Sequence, residues 1–308
     1  MRFFISARLK DNKPLYYMVI FFLFLSLIFW LSSWLYFYSK YGFSYETLYK
    51  YFFQDPEFPE RISLAQLSED LHIQTFLNAF YLLTIFALFI LTSLSSSVKA
   101  FAILLSFLSC ASYLYSDFLI LYLSPTFVYL KLFSFIGFQL INLFVILYTL
   151  LALLTSREDK YTDINLLKLL MFFFSLLLMG FFFTNILAFY SKMGFSLGSI
   201  KEYYLGNPEK FLKPKTFGGM FKVFYPHLIS MAVFSVAVGH FLIFAGSSFS
   251  VPLGIGLFLF SFLDNLSGFL IRFLHPDFAL LKLLSFVALQ GIILYSALLM
   301  LMRSKPWA

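Results

Sequence analysis

Cysteine and charge are what this chain has least of. A single cysteine, Cys110, excludes a disulfide within the chain, a thiolate metal cluster and covalent c-type haem attachment. Charged residues make up 12% of 308 positions, too few to cover the surface of a soluble domain of that size, while 61% are hydrophobic. The chain is therefore an integral membrane protein. It has no Walker loop, zincin helix or nucleophile elbow, and Gly254-Ile255-Gly256 lacks the strand and phosphate-binding context of a dinucleotide fingerprint. A net charge of +7 spread over loops points to membrane orientation and anionic lipid, not to nucleic acid.

What the chain does have is a copy of itself. Phe189-Tyr190-Ser191-Lys192-Met193-Gly194-Phe195-Ser196 repeats Phe37-Tyr38-Ser39-Lys40-Tyr41-Gly42-Phe43-Ser44 with one change. Asn207-Pro208-Glu209 stands in register with Asp55-Pro56-Glu57. Phe273 to Phe278 and Leu281 to Phe286 echo Tyr122 to Phe127 and Leu130 to Phe135. A steady offset over such distances marks a tandem duplication, with boundaries at 1–156 and 157–308.

Apolar stretches near residues 15–38, 74–94, 98–120, 128–154, 167–190, 224–246, 251–272 and 278–302 are each long enough to cross ~30 Å of hydrocarbon. The fold expected is all-α and membrane-integral: eight transmembrane helices as two four-helix units. An even number of spans per copy gives both the same orientation, related by a parallel pseudo-two-fold axis along the membrane normal. The first run is too long for a signal peptide, and its counterpart near residue 170 is internal. The side bearing both termini carries ten basic residues against four acids, which places the termini in the cytoplasm of a bacterial inner membrane. In the two long loops, the spacing of Tyr45, Leu48, Tyr49, Phe52 and Phe53 predicts an amphipathic interfacial helix capped by Ser44. Leu197, Ile200, Tyr203 and Tyr204 predict its counterpart, ending at Gly206-Asn207-Pro208. Ser63-Leu64-Ala65-Gln66 has capping-box spacing and should open a helix running directly into the second span.

Few residues can carry chemistry. His72, His227 and His275 are expected at the outer ends of the second, sixth and eighth spans. His240 falls inside the sixth span after Gly239, which leaves room for a flat group or another helix. Histidine is a common ligand of b-type haem. However, His227 and His240 are separated by ~20 Å and ~220° of helix and face different neighbours. A bis-histidine site would then need His227 with His72 or His275, or a ligand from another subunit; the alternative is that all four are interface or hydrogen-bonding residues. A divalent metal on His72, His227 and His275 depends on packing, and no metal site is assigned. Gln139 and Gln290 are repeat equivalents inside spans, read as helix–helix glue or as the lining of a quinone or solute site. Asp264 and Asn265 interrupt the seventh span where the first copy has Tyr113 and Leu114, so Asp264 is a candidate proton relay, ion site or partner to a base. Asp117, nearer its helix end, is expected at the interface.

Tyr203 to Glu209, Lys215-Thr216-Phe217, Pro226-His227-Leu228 and Gly239-His240 together resemble a bacterial inner-membrane family of four-helix units. Members carry a histidine pair at a helix entrance and a later Gly-His, and are associated with respiratory cytochromes. The sequence departs from that pattern at Tyr225 and in having no buried histidine in the first copy. The resemblance implies an accessory subunit of a membrane electron-transfer assembly, binding haem b or quinone in the second unit, with the bilayer and a larger complex as partners. The alternatives are a structural subunit without cofactor and a small-solute or ion carrier.

Overall fold

The computed structural model describes residues 13–54, 61–155 and 163–304. The basic N-terminal segment, the Asp55-Pro56-Glu57 match and most of the link between the copies lie outside the described residues. Every regular element among those described is helical. Each copy runs long helix, short helix, then three long helices: α1 (Lys13–Tyr41), α2 (Tyr45–Phe53), α3 (Leu64–Phe89), α4 (Ser96–Tyr122) and α5 (Val128–Leu154), followed by α6 (Ile164–Met193), α7 (Leu197–Leu205), α8 (Phe217–Phe244), α9 (Ser250–Phe273) and α10 (Phe278–Arg303). Eight of these are long and apolar enough to cross a bilayer. By packing, the chain divides inside α6, between Leu177 and Leu178. The first half of that helix packs with the first unit, Phe173 stacking on Phe107 and Phe174 meeting Phe80 edge-on. Repeat and packing thus place their boundaries at different points.

The same local chemistry shapes both copies. Gly42 and Gly194 end the first long helix of each with positive φ (67° and 65°), their amides donating to Tyr38 and Tyr190 carbonyls at 2.9 Å. Ser44 and Ser196 then cap α2 and α7, accepting from the Thr47 and Ser199 amides at 3.1 and 3.0 Å. The amphipathic helices lie where their spacing placed them. Ser63 and Thr216 cap α3 and α8. These helices begin ten and seven residues before the expected spans, because hydropathy marks the lipid-facing stretch whereas capping marks where backbone hydrogen bonding starts. Asp70 and Lys222 are consequently helical.

Within the first unit α4 and α5 form a tight hairpin, with α1, α2 and α3 packed on it; within the second, α9 and α10 do the same with α7 and α8. An aromatic stack recurs in each. Phe37 lies 3.9 Å from Phe135 by ring centroid and 5.5 Å from Phe43; the corresponding distances from Phe189 to Phe286 and Phe195 are 4.0 and 5.6 Å. Offset stacks at this spacing fix helix rotation as well as filling space. They set the hairpin beside the short amphipathic helix, and the next layer of side chains forms the candidate site.

Candidate functional site: a caged lysine in each unit

Lys131 stands one turn into α5 and Lys282 one turn into α10, in corresponding places of the duplication. Both are buried, at 1% and 5% exposure, and a charged amine in such a place requires compensation. Lys131 ion-pairs with Asp117 and donates to the Tyr113 carbonyl at 3.2 Å, while the rings of Tyr41 and Tyr113 each lie 4.6 Å from its ammonium. Asp117, expected near the end of its helix, is only 3% exposed and so faces the protein interior instead of water.

In the second unit the acid has moved. Counting by the repeat, Asp264 stands where Tyr113 stood, and Gly268 where Asp117 stood. Lys282 donates to the Asp264 backbone carbonyl at 2.9 Å, the equivalent of the Lys131 bond to Tyr113, and contacts Asp264 Oδ1 at 2.9 Å as an ion pair without hydrogen-bond alignment. The volume vacated at Gly268 is taken by Tyr204, which replaces Phe52; a Cβ on Gly268 would lie 2.8 Å from its ring and 2.9 Å from its hydroxyl. That phenol meets Lys282, and burial raises its pKa while the lysine charge opposes the rise. The acid sits ~7.5 Å from the end of α4 but ~13.5 Å from the end of α9, about one turn deeper. Asp264 is therefore partner to a base, one of the roles read from the sequence.

The other predicted residues are less concentrated. His72 and His227 lie two to three turns inside α3 and α8, helices that begin before the apolar stretches. His227 Nδ1 is 2.7 Å from the Val223 carbonyl one turn back. His240 follows Gly239, whose Cβ position faces the Cα of Gly254 at 3.8 Å; the neighbour that the glycine admits is helix α9. His275 is exposed in the turn before α10, 3.5 Å from Asp277. Asn265 donates to Ser261 on its own helix at 2.8 Å. Gln139 and Gln290 are both buried; the Gln139 backbone carbonyl accepts from Trp30 Nε1 at 2.8 Å, and the Gln290 side-chain Oε1 has no donor among the described residues. Among the described residues no three His, Cys, Asp or Glu side chains gather into a metal-holding group. Sequence reasoning missed both lysines as site residues, although each is a charge inside an apolar stretch kept in both copies.

A family model for a transmembrane helical domain, Aq_1264_TM, matches residues 42–160 and again 194–305. The chain belongs to this family. The two matches begin at Gly42 and Gly194, two residues that end repeat-equivalent helices, so the duplication is of one Aq_1264_TM domain. Each domain contains its lysine and its acid, while Phe37, Tyr41 and Phe189 come from the long helix preceding it. No curated protein and no solved structure matches the chain.

Proposed function

We propose that the protein is a structural subunit of a membrane assembly, two Aq_1264_TM domains whose lysine cages lock each helix hairpin and its interfacial helix into one rigid face. The observation carrying this reading is the displacement of the acid by one turn between copies while the lysine stays fixed. A proton relay or catalytic carboxylate must keep its position relative to what it acts on. A neutralising partner need only reach the ammonium. The lysine charge is met from within each unit by carboxylate, carbonyl and aromatic groups, which suits a fixed joint. Exposed apolar faces such as Phe21, Phe24, Leu31 and Leu35 on α1 suit lipid and neighbouring spans. The setting proposed is a bacterial inner membrane, with both termini cytoplasmic.

The test replaces the first-unit pair without charge, Asp117→Leu with Lys131→Met. A structural joint tolerates the double change and is disrupted by either single one. Wild-type proteoliposomes showing proton or ion flux that the double variant abolishes would overturn the reading.

A second reading, electron transfer through haem b, is favoured by His227. A bond from Nδ1–H to the Val223 carbonyl makes Nε2 the unprotonated nitrogen, the tautomer of a metal-ligating imidazole. It predicts a Soret band in protein purified from haem-sufficient cells, lost in His227→Ala; a colourless wild type under those conditions excludes it.

A further inference from the structure

On the loop side of the second unit, a cavity of about 390 Å³ opens between the end of α6, one face of α7 and the segment leading to α8. Lys192, Lys213 and Lys215 line it, with Ser199, Tyr203 and a single acid, Glu202. The charge of that acid is already engaged: Glu202 accepts from Lys210 at 2.8 and 3.0 Å and from Asn207 at 3.1 Å. The lining is therefore net cationic.

Lys213 and Lys215 are held on a built loop, and Lys192 on the last turn of α6. Asn207 and Leu212 exchange two backbone hydrogen bonds of 2.9 Å, the Lys215 amide donates to the Tyr204 carbonyl at 3.0 Å, and Arg272 Nε donates to the Lys215 carbonyl at 2.9 Å. Lys215 lies 4.2 Å over the Tyr203 ring. Gly206 (φ 81°) lets the chain turn here, since a Cβ would sit 2.6 Å from the Leu212 carbonyl oxygen. The first copy distributes its charges differently: by the repeat, Lys213 corresponds to Glu60, Lys215 to Ile62, Glu202 to Lys50, and Val223 to Asp70, while Lys192 corresponds to Lys40. There Asp70 takes Lys40 at 2.7 Å and the Tyr51 hydroxyl at 3.2 Å, an acid that the second copy replaced.

We infer that this cavity binds a phosphate group, supplied by the headgroup of an anionic lipid. Thirty residues of α6 rise ~45 Å, more than the ~30 Å hydrocarbon core, so its last turn reaches headgroup level. Tyr190, which lines the cavity, and Phe183 two turns below it are both exposed on α6 and offer an acyl chain a continuous apolar path. Basic pockets beside spans are suited to phosphate headgroups, and fixed ammonium groups bind phosphate oxygens through charge-assisted hydrogen bonds.

Native mass spectrometry of the full chain in neutral detergent, with phosphatidylglycerol or phosphatidylcholine added, tests this. Wild type should retain phosphatidylglycerol at least ten-fold better, and Lys213→Ala with Lys215→Ala should erase that preference while Lys50→Ala in the first unit leaves it intact. Lys213→Gln alone, at an exposed position, should weaken it several-fold without touching the loop's backbone bonds. Inorganic phosphate binding that the double variant abolishes, without lipid retention, would support the same cavity with a soluble source. Equal retention of both lipids together with no phosphate binding, or a folded double variant indistinguishable from wild type, would overturn the proposal.

Discussion

The two units solve one problem in two ways. Each buries a lysine one turn into the second helix of a hairpin and gives it a backbone carbonyl from the same position of the first helix. The first unit then supplies an acid one turn nearer the loop and two tyrosine faces; the second supplies the acid from the carbonyl-bearing residue itself and fills the vacancy with a phenol. Three exchanges, Tyr113 to Asp264, Asp117 to Gly268 and Phe52 to Tyr204, make sense only together. What the duplication retained is the neutralisation of the lysine, and the residues around it changed in concert to keep it. Outside the cage the copies diverge further. An internal Lys40–Asp70–Tyr51 cluster in one is answered by a cationic cavity in the other.

The strongest test of that contrast removes each lysine. Lys131→Ala strands Asp117 in a site of almost no exposure and should cost ~3–5 kcal/mol, seen as loss of folded protein. Lys282→Ala should cost less, because the Asp264 side chain is 14% exposed against 4% for Asp117. Equal losses in detergent unfolding curves would mean the two cages are energetically the same. Next, Gly268→Ala forces Tyr204 off its seat and should destabilise the second unit by ~1–3 kcal/mol; an unchanged thermal midpoint would show that the phenol is not packed there. A smaller difference concerns the residue after each short amphipathic helix. Gln54 holds φ 52° where Gly206 holds 81°. Gln54→Gly should therefore stabilise by ~0.5–1 kcal/mol, whereas Gly206→Gln should destabilise.

The smallest effect is electrostatic and belongs to the second copy alone, because Lys50 occupies the place of Glu202 in the first. The hydrogen bond from Lys210, then that from Asn207, holds the Glu202 carboxyl below its ordinary value of 4.5. Its contribution is thus complete above that value and is lost as pH falls through the depressed folded-state value. Protection factors in the Gly206–Lys215 segment, corrected for the intrinsic pH dependence of amide exchange, should fall at acid pH in the wild type and stay level there in Glu202→Gln.

Much of the architecture was legible because it rests on period and length. Eight long apolar runs, glycine stops and serine caps act within a few residues, and the repeat tied the copies together. The capping spacing at Ser63 marks the start of α3 at Leu64, whereas hydropathy alone puts both that start and the one at Phe217 later, because it reads only the lipid-facing stretch. The cage was harder to see. Asp264 stood out as a carboxylate in a span, but Asp117 looked interfacial, and nothing in one dimension tells a lysine that reaches water from one folded under an aromatic helix.

Sequence alone determined the helices, their caps and the doubling of the unit, since backbone hydrogen bonding and lipid thickness act on contiguous residues. Only tertiary structure decided which charges meet. Asp117 and Asp264 lie a turn apart in repeat register, and a side chain one turn along a helix can reach the same ammonium only when the facing helix is set at the right height and rotation. That setting comes from Phe37 on Phe135 and Phe189 on Phe286, contacts across about a hundred residues whose energy depends on shape in three dimensions.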